Sequence, residues 1–133
     1  MNREIKFRAK RLDNGEWIEG YYFEHWGKSY MAWGMNKNLA MLLEVDLATV
    51  GQYTGMKDSE GKEIYEGDVL NKQSHWGHYV GFDDGAFVAI PTNKVQRINR
   101  RPYRLKQEDI DGGWFVTGNI HDNPELLEGG DNQ

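Results

Sequence analysis

Three carboxylates, Glu63, Glu66 and Asp68, fall within six residues, and two histidines, His75 and His78, follow three apart. Paired carboxylates do acid/base work when their surroundings split the two pKa values, and histidines joined by a carboxylate form a metal-ligand set. Glu66-Gly67-Asp68 runs straight into Val69-Leu70, so these acids stand where a turn enters a strand, and Asp and Gly are residues that turns select. Turn capping by Asp68 with solvated glutamates is therefore the favoured reading. Asp83 or Asp84 could join the histidines, but no third ligand is spaced with them, which favours a polar loop over a metal site. There is no nucleophile elbow and no glycine-rich strand-to-helix phosphate loop. No catalytic residue is assigned, and no metal or cofactor is expected.

Two other clusters have chemistry of binding. Residues 94–106 hold Lys94, Arg97, Arg100, Arg101, Arg104 and Lys106 with no acid among them, and Tyr103 lies inside the run. Cations interleaved with an aromatic contact phosphates and stack on bases, which makes Lys94, Arg97, Arg100, Arg101 and Arg104 the candidate nucleic-acid contacts. The opposing facts are a net charge of −5 and the acids Glu108, Asp109 and Asp111 directly after the run, which offer intramolecular partners. The second cluster is aromatic: Trp17, Tyr21, Tyr22, Trp26, Tyr30 and Trp33 crowd the first third of the chain. Aromatic side chains are favoured at interface centres, and a small domain has little room to bury so many. Trp17, Tyr21, Tyr22, Trp26 and Trp33 are the candidate protein interface. A non-enzymatic interaction module, binding an unknown protein or a second copy of itself, is the leading expectation; nucleic-acid binding is the alternative, and an enzyme is a distant third.

Composition bounds these readings. A chain of 133 residues with 38% hydrophobic and 13% aromatic residues has enough apolar surface to fold without staples. It has no cysteine, so disulfides, zinc-thiolate sites and cysteine nucleophiles are excluded, and a reducing compartment is expected. Charges interrupt Asn2 to Arg8 where a secretory signal would carry an apolar run, and no segment reaches membrane-spanning length, so a cytoplasmic protein with no membrane partner is expected.

The elements that must position these side chains are mostly strands. Ile5, Phe7 and Ala9 alternate with Lys6, Arg8 and Lys10, the period-two pattern of a strand with one buried face. Asn14-Gly15 predicts a two-residue hairpin turn leading into a strand from Trp17 to about Phe23. Ser29–Trp33 reads as a strand, 34–38 as a loop, 39–45 leans to strand, and 49–54 is a short strand before a polar loop at 56–62. Asp84-Gly85 predicts a tight hairpin between 79–83 and 86–90. The basic segment after Pro91 has Val95 and Ile98 as its apolar anchors, 105–110 reads as one helical turn, and 114–120 is a strong last strand. Asn123-Pro124 opens a compact helical turn with Asn as cap and Pro at the first helical position, and 130–133 is a frayed tail.

Phe7-Arg8-Ala9, Thr49-Val50-Gly51-Gln52-Tyr53-Thr54-Gly55, Ile64-Tyr65-Glu66-Gly67-Asp68-Val69 and the block from Gly118 to Leu127 resemble the YopX family, small proteins encoded by bacteriophages and prophages. Several separated blocks in order make this a specific resemblance over nearly the whole chain. It implies a mainly β fold whose C-terminal half is similar to an SH3-type barrel, and it implies no catalytic residues. The expected architecture is an N-terminal β lobe, residues 1–62, packed on a C-terminal SH3-like small barrel, residues 63–133, with at most short helical turns.

Overall fold

Alternation along the first strands builds a layer with one closed face and one open face. A computed structural model describes residues 4–33 and 41–131, and the loop expected at 34–38 lies outside the described residues. The fold is mainly β. The chain divides into two compact units, residues 1–53 and 54–133, where the sequence reading places the division after Lys62.

In the first unit, β1 (Phe7–Lys10), β2 (Trp17–His25), β3 (Lys28–Trp33) and β4 (Met41–Glu44) form an antiparallel sheet in the order β4-β3-β2-β1, and the start of β5 (Gly51–Lys57) pairs with β1. Ala9, Ile18, Met31 and Val45 are its buried centre, with Phe7, Tyr22, Trp33, Leu43 and Val50 packed around them. The registers Ala9↔Ile18, Tyr22↔Met31 and Met31↔Leu43 put these residues on one face, because strand side chains alternate with a period of two. A short 3-10 turn, Leu47–Thr49, is capped by the Asp46 carboxylate, which accepts from Ala48 N.

The Asn14-Gly15 expectation is corrected. Gly15 has a positive φ and Asn14 does not, and the Arg11 N–H donates to the Glu16 carbonyl at 2.9 Å, so residues 12–15 form a wider loop. The Asn14 side chain explains the difference: its Oδ1 accepts from Glu16 N at 2.9 Å, an Asx turn that holds residue 14 out of the left-handed region.

The second unit pairs the end of β5 with β6 (Glu63–Tyr65), and carries a five-stranded antiparallel sheet. That sheet contains β7 (Asp68–Asn71), β8 (His78–Asp83), β9 (Ala86–Pro91), β10 (Tyr103–Arg104) and β11 (Phe115–Asn119), in the order β10-β9-β8-β7-β11. Ile64, Leu70, Val80, Phe87, Ala89, Leu105 and Ile110 form its core, with Met56, Trp114 and Val116 against them. Two short helices lie between β9 and β11: α1 (Lys94–Asn99) and α2 (Gln107–Ile110). α1 sits where the sequence reading had no helix, and it buries none of its residues. Val95 and Ile98, expected as anchors, are exposed on it. A 3-10 segment, Pro124–Asp131, follows β11. Among the described residues, no helix is long and apolar enough to cross a membrane.

Candidate functional site

β2 sorts the aromatic cluster by its pleat. Ile18 and Tyr22 face the core, whereas Tyr21 and Phe23 stand on the opposite face and are 56% and 39% exposed. The register continues that outer face across the sheet: Phe23 opposes Tyr30, Tyr21 opposes Ala32, and Ala32 opposes Leu42. Phe23 and Tyr30 stack with ring centroids 5.5 Å apart, so part of the face is pre-ordered. Leu42, on β4 at the edge of the sheet, is exposed.

The β2–β3 turn carries the most exposed of these groups. His25 pairs with Lys28, which leaves Trp26-Gly27 as a two-residue loop with φ of 54° and 77°. Both residues are left-handed, the backbone that Asn-Gly and Gly-Gly adopt and that a bulky side chain occupies only under strain. Trp26 is nonetheless 89% exposed, so burial of the indole does not explain its presence.

The structure separates the five candidate interface residues. Tyr21 and Trp26 are on the open surface. Trp17 is half-buried beneath the Arg8 guanidinium, 4.8 Å from its ring, and the Lys10 ammonium, 5.4 Å away, a cation–π arrangement that covers it. Tyr22 and Trp33 are corrections: both pack against the first core, because their strand positions point inward. Tyr22 further donates its hydroxyl to Glu24 at 2.6 Å. Phe23 and Leu42 belong to the open face but are absent from the sequence-derived interface. The period-two spacing of Tyr21 and Phe23 was the signal for the first of them.

The basic segment is also dispersed. Arg97 is a correction: its guanidinium donates to the carbonyls of Pro91 at 3.1 Å, Thr92 at 2.9 Å and Leu127 at 3.3 Å, so it fastens α1 to β9 and to the C-terminal 3-10 segment. Lys94 is exposed at the start of α1. Arg100 acts on the rings of His78 and Tyr103, while Arg101 and Arg104 line a separate open cleft of about 410 Å³ with Asp83, Asp84, Ala86, Val88 and Pro102.

The histidines are absorbed by packing. The His75 ring N–H donates to the Gln73 carbonyl at 2.8 Å, and the ring lies edge-on to Trp114. His78 is 9% exposed between Tyr103 and Trp114, each with its centroid 5.4 Å away. Burial lowers the His78 pKa, the Trp76 carbonyl opposes that shift, and the charges of Arg100 and His75 add to it. Among the described residues, no group of three or more His, Cys, Asp or Glu could hold a metal.

Comparison with known families places the chain. The family model described as YopX protein matches residues 6–128. The chain belongs to the YopX family. Among solved structures it is similar to the crystal structure of protein EF1440 from Enterococcus faecalis, at 26% identity and a TM-score of 0.57, over 93% of this chain and 98% of that one. No curated protein matches it.

In this YopX chain the segment that carries much of the family resemblance, residues 49–70, is fastened by buried polar side chains. Asp58, 5% exposed, accepts from the N–H groups of Glu60 and Lys62 at 2.8 Å and of Val116 at 2.9 Å, which ties the loop after β5 to β11. Burial disfavours its charge, but those three N–H groups and the Lys62 ammonium prevail and hold its pKa below the ordinary carboxylate value. Asp68, also buried, accepts from Tyr65 N at 2.8 Å and closes the turn into β7. Thr54 donates its hydroxyl to the Ile64 carbonyl at 2.8 Å. Of the three neighbouring carboxylates, Asp68 is thus bonded to backbone, and Glu63 accepts from the Tyr65 hydroxyl at 3.5 Å.

Proposed function

We propose that this YopX family member is a non-enzymatic protein-interaction module that works in the cytoplasm of a phage- or prophage-bearing host. Its contact surface is the outer face of the first unit's sheet: Tyr21, Phe23 and Leu42, with Trp26 at the tip of the β2–β3 turn. The single observation that carries this reading is Trp26. A tryptophan in the left-handed region costs roughly 1–2 kcal/mol relative to a residue suited to it, its indole lies in solvent, and Asn at this position would serve the turn better. A residue that the fold disfavours and solvent does not select is accounted for by a partner, and exposed Trp and Tyr are the side chains that anchor such contacts. The opposite face is already occupied by the first core, so the sheet offers one free side.

The test compares the wild-type chain with Trp26→Asn in affinity capture from host cells during phage growth, with each captured protein then purified and titrated against both chains. A partner that binds the wild type and loses at least about tenfold in affinity for Trp26→Asn supports the reading. Equal binding to both chains removes Trp26 from the interface and overturns it.

Nucleic-acid binding is the second reading, favoured by one observation: Lys94, Arg100, Arg101 and Arg104 are all exposed. It proceeds without Arg97. Its signature is affinity that falls steeply with salt and flattens when the exposed arginines are replaced by alanine.

A further inference from the structure

Arg101 and Arg104 line the open cleft on the second unit together with Asp83 and Asp84 and the apolar Ala86, Val88 and Pro102. All four charged residues are exposed, and among the described residues the side chain of none of them makes a hydrogen bond or an ion pair. Opposite charges lining one depression without pairing make a surface that carries both signs of charge. The two signs of charge come from different elements. The acids lie at the tip of the β8–β9 hairpin, where Asp84-Gly85 is the turn, and the arginines lie on β10 and the chain entering it.

We propose that this cleft is a self-complementary interface that pairs two copies of the chain about a two-fold axis. A two-fold contact presents the same patch from both sides, so a pattern of plus beside minus meets its own inverse. The Asp83-Asp84 tip of one copy enters between the arginines of the other, and the reverse contact forms at the same time. Arg receives carboxylate in a forked geometry that adds orientation as well as attraction. The cleft volume of about 410 Å³ lies in the range that seats compact groups, roughly 300–1,000 Å³, which leaves room for a two-residue turn. A phosphate polymer fits the same cleft poorly, because two carboxylates stand against it. This contact lies in the second unit and uses none of the aromatic residues of the proposed partner surface.

The test is a charge exchange read by sedimentation equilibrium of the full chain. One variant is Arg101→Glu with Arg104→Glu. The other is Asp83→Lys with Asp84→Asn, the asparagine being chosen because residue 84 has a φ of 52°, which Asn tolerates. The wild type is expected to dimerise at low salt, and its dissociation constant to rise about tenfold or more from 50 mM to 500 mM NaCl as screening sets in. Each variant alone is expected to be monomeric, and an equal mixture of the two to form a heterodimer. That recovery also shows that both variants fold. A monomeric wild type at low salt, variants that dimerise like the wild type, or a mixture that stays monomeric would each overturn the proposal. So would an oligodeoxythymidylate probe that binds the wild type, loses affinity for the arginine variant and gains it for the aspartate variant. Trp26→Asn should dimerise as the wild type does, so failure here and failure of the partner reading are separable.

Discussion

Two turns in this chain have the same backbone and opposite chemistry. Trp26-Gly27 joins β2 to β3 with φ of 54° and 77°, and Asp84-Gly85 joins β8 to β9 with φ of 52° and 80°. Each is a two-residue hairpin loop whose flanking pairs, His25↔Lys28 and Asp83↔Ala86, close the ladder. Asp in the first position agrees with the conformation, since its short polar side chain tolerates the left-handed region. Tryptophan does not. Equal φ angles with unequal residue choice are what the proposed partner contact at the first turn accounts for. The same contrast runs through both units: loops in the second are pinned by Asp58, Asp68 and Arg97, whereas the β2–β3 tip presents its side chain to solvent.

The largest effect that sharpens this contrast is expected at a pin. Asp58→Ala leaves the N–H groups of Glu60, Lys62 and Val116 without their carboxylate, and the loss should be roughly 3–4 kcal/mol of unfolding free energy by urea denaturation. A loss below about 1 kcal/mol would show that solvent replaces those bonds and that the two kinds of loop do not differ. Acid should find the same group. Because the folded pKa of Asp58 lies below its unfolded value, its contribution is complete above that unfolded value, near 3.8, and is lost as pH falls through the folded pKa. Asp58→Asn should therefore flatten the stability profile below about pH 4, whereas Trp26→Asn should leave that slope unchanged.

His78 supplies an intermediate effect at milder pH. Its folded pKa is lowered from 6.5, so the unfolded chain takes up a proton first, and the stability that its neutral form contributes declines as pH falls from about 6.5 through the folded value. Replacement by Phe should remove that decline, and an unchanged profile between pH 7 and 5 would mean the ring charges without cost.

The two glycines test the equality of the turns directly. Gly27→Ala and Gly85→Ala should each cost roughly 1–2 kcal/mol, by the same amount within error, because each forces a Cβ into the left-handed region and neither site meets a neighbouring atom. Unequal costs would break the comparison at its base.

Much of this was legible from residue types. Asp84-Gly85 reads as a tight hairpin because both the turn and its flanking strands obey local rules, and residues 41–44 form the strand to which 39–45 leans. The mainly β fold and the family follow from separated blocks that the structure maps onto β1, β5, β6, β7 and β11. What was illegible depended on side chains reaching across sequence. α1 was missed, although Asn93 followed by Gln96 is a capping signal and Asn93 Oδ1 accepts from Gln96 N at 3.0 Å. The role of Arg97 needed the position of Leu127, thirty residues away in sequence. The aromatic cluster looked uniform until strand register divided it, with Tyr22 and Trp33 against the core and Tyr21 and Phe23 opposite. Local rules describe the elements, and register decides which of their residues remain available.

The smallest expected change in stability bears on the central claim, that Trp26 is held for a partner and not for the fold. Urea denaturation of Trp26→Asn measures it. The account predicts an unfolding free energy equal to the wild type or higher by up to about 1 kcal/mol, since Asn relieves a strained left-handed residue and removes no buried contact. A decrease of more than about 1 kcal/mol would show that the indole holds the hairpin together, and the contrast between the two turns would then be one of packing rather than function.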